Sequence, residues 1–125
     1  MGGAINSAAQ MAHGKALIEG VTHLETANID YNGDGSQELE IRFGYPSGSR
    51  TNGIPRIMSE SFATQWTWST NYSRSVFYLT TAYIGGYSGN YVNNTRVTPT
   101  NCYLAYKRAV SAGSTPLVEY VTTGC

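Results

Sequence analysis

Asp30, Asn32 and Asp34 stand at alternate positions with Gly35 directly after them, giving Asp-x-Asn-x-Asp-Gly. Calcium prefers several oxygen ligands, and this spacing wraps two carboxylates and an amide around one point. The match to a full calcium loop then breaks down. Its twelfth position is Ile41, Glu40 falls one residue early, and Gln37 takes the usual apolar place. Glu38 could act as a late ligand in a shorter loop. The metal candidate is therefore Asp30, Asn32, Asp34 and Glu38, and calcium is the only cofactor the sequence suggests. The competing reading is an Asx-rich turn, in which Asn and Asp bond the backbone and Gly supplies positive φ.

Other residues capable of chemistry form no catalytic set. His13 and His23 lie ten residues apart with no nearby Cys, about 80° out of register on a helix, which suits surface or packing roles better than a metal site. Glu38 and Glu40 share one face of a strand, as on a solvated edge; glycosidase chemistry from them is a remote alternative. No Gly-x-Ser-x-Gly occurs, and Gly85, Gly86 and Gly89 precede no Lys and open no helix. Trp66 and Trp68 share a face if extended. Trp66 reads as core, whereas Trp68 with Tyr72, Tyr87 and Tyr91 could form an aromatic platform for sugar rings. Asn71-Tyr72-Ser73 and Asn93-Asn94-Thr95 match glycosylation sequons weakly.

Cys102 and Cys125 are the only cysteines. A free terminal thiol is a liability outside the cell, and so distant a pair is a poor metal site. A disulfide pinning the C-terminus onto a hairpin fits better, in an oxidising compartment. Closing a loop of that size is worth roughly 3.5 kcal/mol in the chain-entropy model. Eight basic residues balance eight acidic ones, and no basic stripe suits nucleic acid. No apolar run reaches the ~18 residues that span a bilayer, and the N-terminus lacks an export signal. Met1-Gly2-Gly3 reads as residues added ahead of a native chain whose own N-terminus has been removed.

The elements that must position these residues follow from periodicity. At 125 residues the chain reads as one domain. Ala4 to Ala27 reads as helix, weakened at Gly14 and Gly20. Its apolar residues fall on two faces: Ile5, Ala8, Ala12 and Ala16 on one, and Leu17, Val21 and Leu24 about 150° away. One reading is a partly kinked core helix. The other is a helix with two partners, its own sheet through the large residues and another molecule through the small ones. Leu39, Ile41 and Phe43 alternate with charged residues as a half-buried strand. Ile54 to Ala63 suits a short helix, Val76 to Ile84 a strand, Gly85 to Asn101 a long loop, and Tyr103–Val110 with Leu117–Thr122 a terminal hairpin. A long helix followed by strands predicts an α+β fold, with a four-stranded antiparallel sheet laid on the helix.

With these elements in place the chain resembles a type IV pilin of the mannose-sensitive haemagglutinin type. The resemblance rests on the Ala-rich helix, Ile29-Asp30-Tyr31-Asn32-Gly33-Asp34-Gly35, Gly44-Tyr45-Pro46, Trp66, and the Cys102–Cys125 region with Tyr106, Ala109 and Pro116. It implies a pilin fold over residues 1–125, with 4–27 as the C-terminal half of the spine helix and 102–125 as the disulfide-bounded region. It further implies a bacterial surface filament for adhesion or motility, inner-membrane anchoring before assembly, and an assembly machinery as partner. Other subunits would pack on Ile5, Ala8, Ala12 and Ala16, and host or surface glycans could be bound. A type II secretion pseudopilin shares the fold, but the disulfide weighs against it. A secreted calcium-dependent carbohydrate-binding module is the alternative from another class, and the two-faced helix weighs against that. An enzyme is the least supported class.

Overall fold

A computed structural model of the chain describes residues 2–58, 66–71, 73, 75–80 and 92–125. The architecture is α+β. Helix α1 (Gly2–Glu19) packs on two antiparallel sheets. The smaller holds β1 (Ala27–Ile29), β2 (Leu39–Arg42) and β3 (Tyr45–Pro46), and the larger holds β4 (Thr67–Thr70), β5 (Val76–Thr80), β6 (Tyr103–Lys107) and β7 (Leu117–Val121), each in chain order. A 3₁₀ turn covers Ile54–Ile57, and a short helix α2 (Asn94–Val97) runs into a second 3₁₀ turn, Thr98–Thr100.

The expected helix over 4–27 is thus shorter, and the expected single sheet is two. Gly20 explains the first difference. It adopts φ 74°, a conformation open to glycine at little cost. Its N–H donates to the Leu17 carbonyl and that of Val21 to the Ala16 carbonyl, both at 3.1 Å. That pair of bonds is a Schellman stop. Gly20 therefore ends the helix rather than weakening its middle. The chain freed beyond it supplies β1, which pairs Ile29 with Leu39 and Ala27 with Ile41. So β2 is claimed by β1 and β3 instead of by the later strands.

The buried face of α1 is the small-residue one. Ile5 and Ala9 pack with Phe77, Leu79, Leu104 and Tyr106 of the larger sheet, together with Tyr45 of β3, Ile54 and Ala109. One to two turns later, Ala12 and Ala16 pack with Ile29, Leu39 and Ile41 on the smaller sheet. Alanines let the helix approach both sheets closely, and any larger side chain there would overpack. Leu17 and Leu24, expected inside, are 57% and 40% exposed, as are Met11 at 61% and Ile18 at 87%. Alternation in the larger sheet sends Phe77, Leu79, Leu104 and Tyr106 toward α1. Tyr78 and Tyr103 emerge on the other side, where their rings meet each other edge to face at 5.7 Å and pack against Val92 and Val97.

Candidate functional site

The loop from Asp30 to Glu38 joins β1 to β2 and is built almost wholly by side chains that hold its own backbone. Asp30 Oδ1 accepts from the N–H of Gly33 at 2.8 Å and of Asp34 at 3.2 Å, and Oδ2 accepts from Gly35 at 2.8 Å. Asn32 Oδ1 accepts from Asp34, and Asp34 Oδ1 from Ser36 at 2.8 Å. From the far side Glu38 Oε1 accepts from Tyr31 at 3.0 Å and Asn32 at 3.2 Å. Gly33 and Gly35 sit at φ 80° and 87°, which lets successive N–H groups turn inward. The Gly35 N–H bond, with those of Gly33 and Asp34, holds the Asp30 carboxyl below its ordinary range.

The consequence is convergence. One oxygen from each of Asp30, Asp34 and Glu38 lies within 4.8 Å of the others. The second Glu38 oxygen, Oε2, is buried and accepts no hydrogen bond. Tyr31 packs toward the smaller core, and Lys15 Nζ of α1 stands 5.3 Å over its ring. The hydrogen bonds of the Asx-turn reading are therefore present, and three of the four residues of the metal candidate, Asp30, Asp34 and Glu38, converge in the same loop.

Elsewhere the structure separates the sequence candidates. Cys102 and Cys125 form the disulfide, with Cα atoms 4.8 Å apart. Thr80 Oγ1 donates to the Cys102 carbonyl, and Gly124 N–H to the Asn101 carbonyl at 2.8 Å. Ile5, Ala12 and Ala16 are fully buried and Ala8 packs partly on the same core. The face expected to meet another molecule is thus spent inside the chain. Trp66 packs partly against the larger-sheet core as expected. Trp68, expected at the surface, also packs there, its ring 6.0 Å from Phe77. Tyr72, Tyr87 and Tyr91 lie outside the described residues.

His13 is a packing residue. Its Nδ1 is 2.8 Å from the Gly44 carbonyl and its ring stacks on Tyr45 at 4.1 Å. With His23, Leu17 and Phe43 it lines a cleft of about 320 Å³. Glu40 corrects the solvated-edge expectation, being 4% exposed. Arg42 Nε and Nη2 reach its Oε1 at 3.1 and 3.0 Å, and Ser47 Oγ donates to Oε2 at 2.9 Å. The segment after β3 folds over β2, with Glu40 N–H bonded to Asn52 O at 2.7 Å. The i, i+2 Glu-Arg pairing was the only trace of this in the sequence.

Fold and site together define an α+β domain closed by a C-terminal disulfide and carrying an acidic turn beside its helix. No protein-family model, curated protein or solved structure matches the chain.

Proposed function

We propose that the chain is the head domain of a type IV pilin, a non-enzymatic subunit that polymerises into a bacterial surface filament for adhesion or motility. The observation that carries this reading is the outer face of α1. Ala4, Met11 and Ile18 recur every seventh residue on the side away from both sheets, and all three are exposed. They form a narrow apolar stripe on a helix whose inner face is already full, and Leu17, about 100° round the helix from Ile18, is exposed beside it. Such a stripe marks a surface meant for another molecule. In the filament reading it packs on neighbouring helices, so the intersubunit face is Met11, Leu17 and Ile18 rather than the buried alanines. The helix-and-sheet architecture and the disulfide, which suits an extracellular site, fit the pilin resemblance. As that resemblance implies, a hydrophobic helical half would precede α1, anchor the subunit in the inner membrane, and enter the filament core during assembly.

The test uses the full-length native gene in its host. Surface filaments are sheared off and their main protein sequenced by mass spectrometry, for the wild type and for a Met11→Asp/Ile18→Asp double variant. Wild-type filaments made of this chain are expected, with filaments lost in the variant while its isolated domain melts as the wild type does. Recovery of the wild-type chain only as a soluble protein in the medium would overturn the proposal.

A further inference from the structure

We propose that Asn32-Gly33 is a latent site of self-modification, at which the Asn32 amide converts to a carboxylate, and that the Asp30 side chain is the group that holds it closed. The chain contains two Asn-Gly pairs, Asn32-Gly33 and Asn52-Gly53. In such a pair the glycine nitrogen can attack the asparagine side-chain carbonyl, because no Cβ shields it and the glycine backbone turns freely. The Gly33 nitrogen bonds to Asn32 Cγ and gives up its proton, Nδ2 leaves as ammonia, and a five-membered imide closes. Water then opens the ring at either carbonyl, leaving Asp or its β-linked isomer at position 32. Water is the only co-reactant, and Asn32 and Gly33 are both exposed to it.

The two pairs are held in different ways. Gly53 is buried, and its N–H donates to the Ser49 carbonyl at 3.1 Å. The Asn52 carbonyl accepts from the Glu40 N–H at 2.7 Å, and backbone atoms of Ser47 and Ser49 crowd the place where a Gly53 Cβ would stand. That packing opposes the backbone rotation that ring closure needs. Gly33 has no such crowding: among the described residues nothing stands within 4 Å of an added Cβ.

What restrains Gly33 is a single bond. Its N–H donates to Asp30 Oδ1 at 2.8 Å. Ring closure needs that nitrogen free and stripped of its proton. A carboxylate that accepts the N–H opposes both steps: a charge-assisted bond must break, and a negative nitrogen forming beside an ionised carboxylate is repelled. The Asn32 side chain is tied as well, its Oδ1 accepting from the Asp34 N–H at 3.3 Å. The other Asp30 oxygen holds the Gly35 N–H at 2.8 Å, which is the corresponding nitrogen of Asp34-Gly35, the one Asp-Gly pair of the chain. One side chain thus guards both reactive pairs of an exposed loop. None of this depends on the filament reading.

The folded chain is held at mildly alkaline pH in water enriched in heavy oxygen, which labels each newly opened ring, and its peptides are mapped by mass spectrometry. Slow conversion of Asn32 is expected in the wild type, well below its rate in urea. Asp30→Ala should speed conversion at position 32 by about tenfold or more, while Asn52, held by packing, keeps the wild-type rate and reports any global loosening. If Asp30→Ala does not fold, Asp30→Asn takes its place, since it keeps the shape and removes the charge. Glu38→Gln disturbs the bonds to the Tyr31 and Asn32 N–H groups without touching Gly33, and should leave position 32 near the wild-type rate. An unchanged or slower rate at position 32 in the Asp30 variant would overturn the guard, the slower rate making Asp30 the base that activates Gly33. Equal acceleration at Asn52, or in Glu38→Gln, would reduce the effect to general loosening and overturn it too. Filament shearing reads an independent property, so either proposal can fail alone.

Discussion

Tyr106 joins the two sheets through one atom. It lies on β6 with no exposed surface, and its hydroxyl donates to the Pro46 carbonyl of β3 at 2.8 Å. Burial, and secondarily the Tyr45 phenol nearby, push its ionisation well above the ordinary tyrosine value of 10.0. The sign follows. The folded state favours the neutral phenol, so its contribution is complete below pH 10 and declines as pH rises beyond that. Tyr106→Phe keeps the ring but leaves a buried carbonyl unpaired, which costs about 1–3 kcal/mol. Urea unfolding at neutral pH should show that loss. The same variant should also lose less stability than the wild type between pH 9 and 11 (about one unit either side of the free phenol). An unchanged midpoint in Tyr106→Phe would mean that the inter-sheet bond contributes nothing. The exposed Lys107–Glu119 pair, at 2.8 Å, is the contrast: its geometry is as good, but water screens it to a few tenths of a kcal/mol.

At the scale of elements, α1 shows what periodicity can and cannot decide. A helix with apolar residues on two sides was legible. Which side faces inward was not, because the reading weighted Leu17, Val21 and Leu24 by size. The inner face is chosen by fit: two sheets approach α1 together, and only Ala9, Ala12 and Ala16 leave room for both. Once Gly20 ends the helix, Val21 and Leu24 no longer belong to its face at all. Its positive φ and the two closing bonds give a direct check. Gly20→Ala should cost about 1–2 kcal/mol in thermal or urea unfolding, whereas Gly14→Ala, inside the helix with nothing within 4 Å of an added Cβ, should stabilise by up to about 1 kcal/mol. Equal effects would remove the stop assigned to Gly20. The Asx loop was readable because its hydrogen bonds are local, spanning two to seven residues. The burial of Glu40 was not, because it depends on the segment after β3 returning over β2.

For the whole molecule, the disulfide closes the one part of the larger sheet that the core scarcely holds. Strand β7 is its last strand, and only Val118 packs partly on the core while Leu117 and Tyr120 stay 55% and 62% exposed. Five registered pairs with β6 hold it, from Lys107 with Leu117 to Tyr103 with Val121. Few buried side chains and an exposed ladder favour its local opening. The bond from Cys102, next to the start of β6, to Cys125, beyond the end of β7, returns the open end of that hairpin to the sheet. In the chain-entropy model it acts mainly by restricting the unfolded chain, by about 2–4 kcal/mol, so the Cys102→Ala/Cys125→Ala variant should melt roughly 10 °C lower with its secondary structure retained. Hydrogen exchange distinguishes a local clamp from a global staple. If the clamp is local, exchange in the variant accelerates at 117–121 well beyond the change at 76–80 and 103–107. If all three strands accelerate equally, the bond acts only through the unfolded state, and β7 gains no special protection from it. Under the proposed filament reading the local outcome would matter, because a frayed β7 offers an unpaired edge to neighbouring chains.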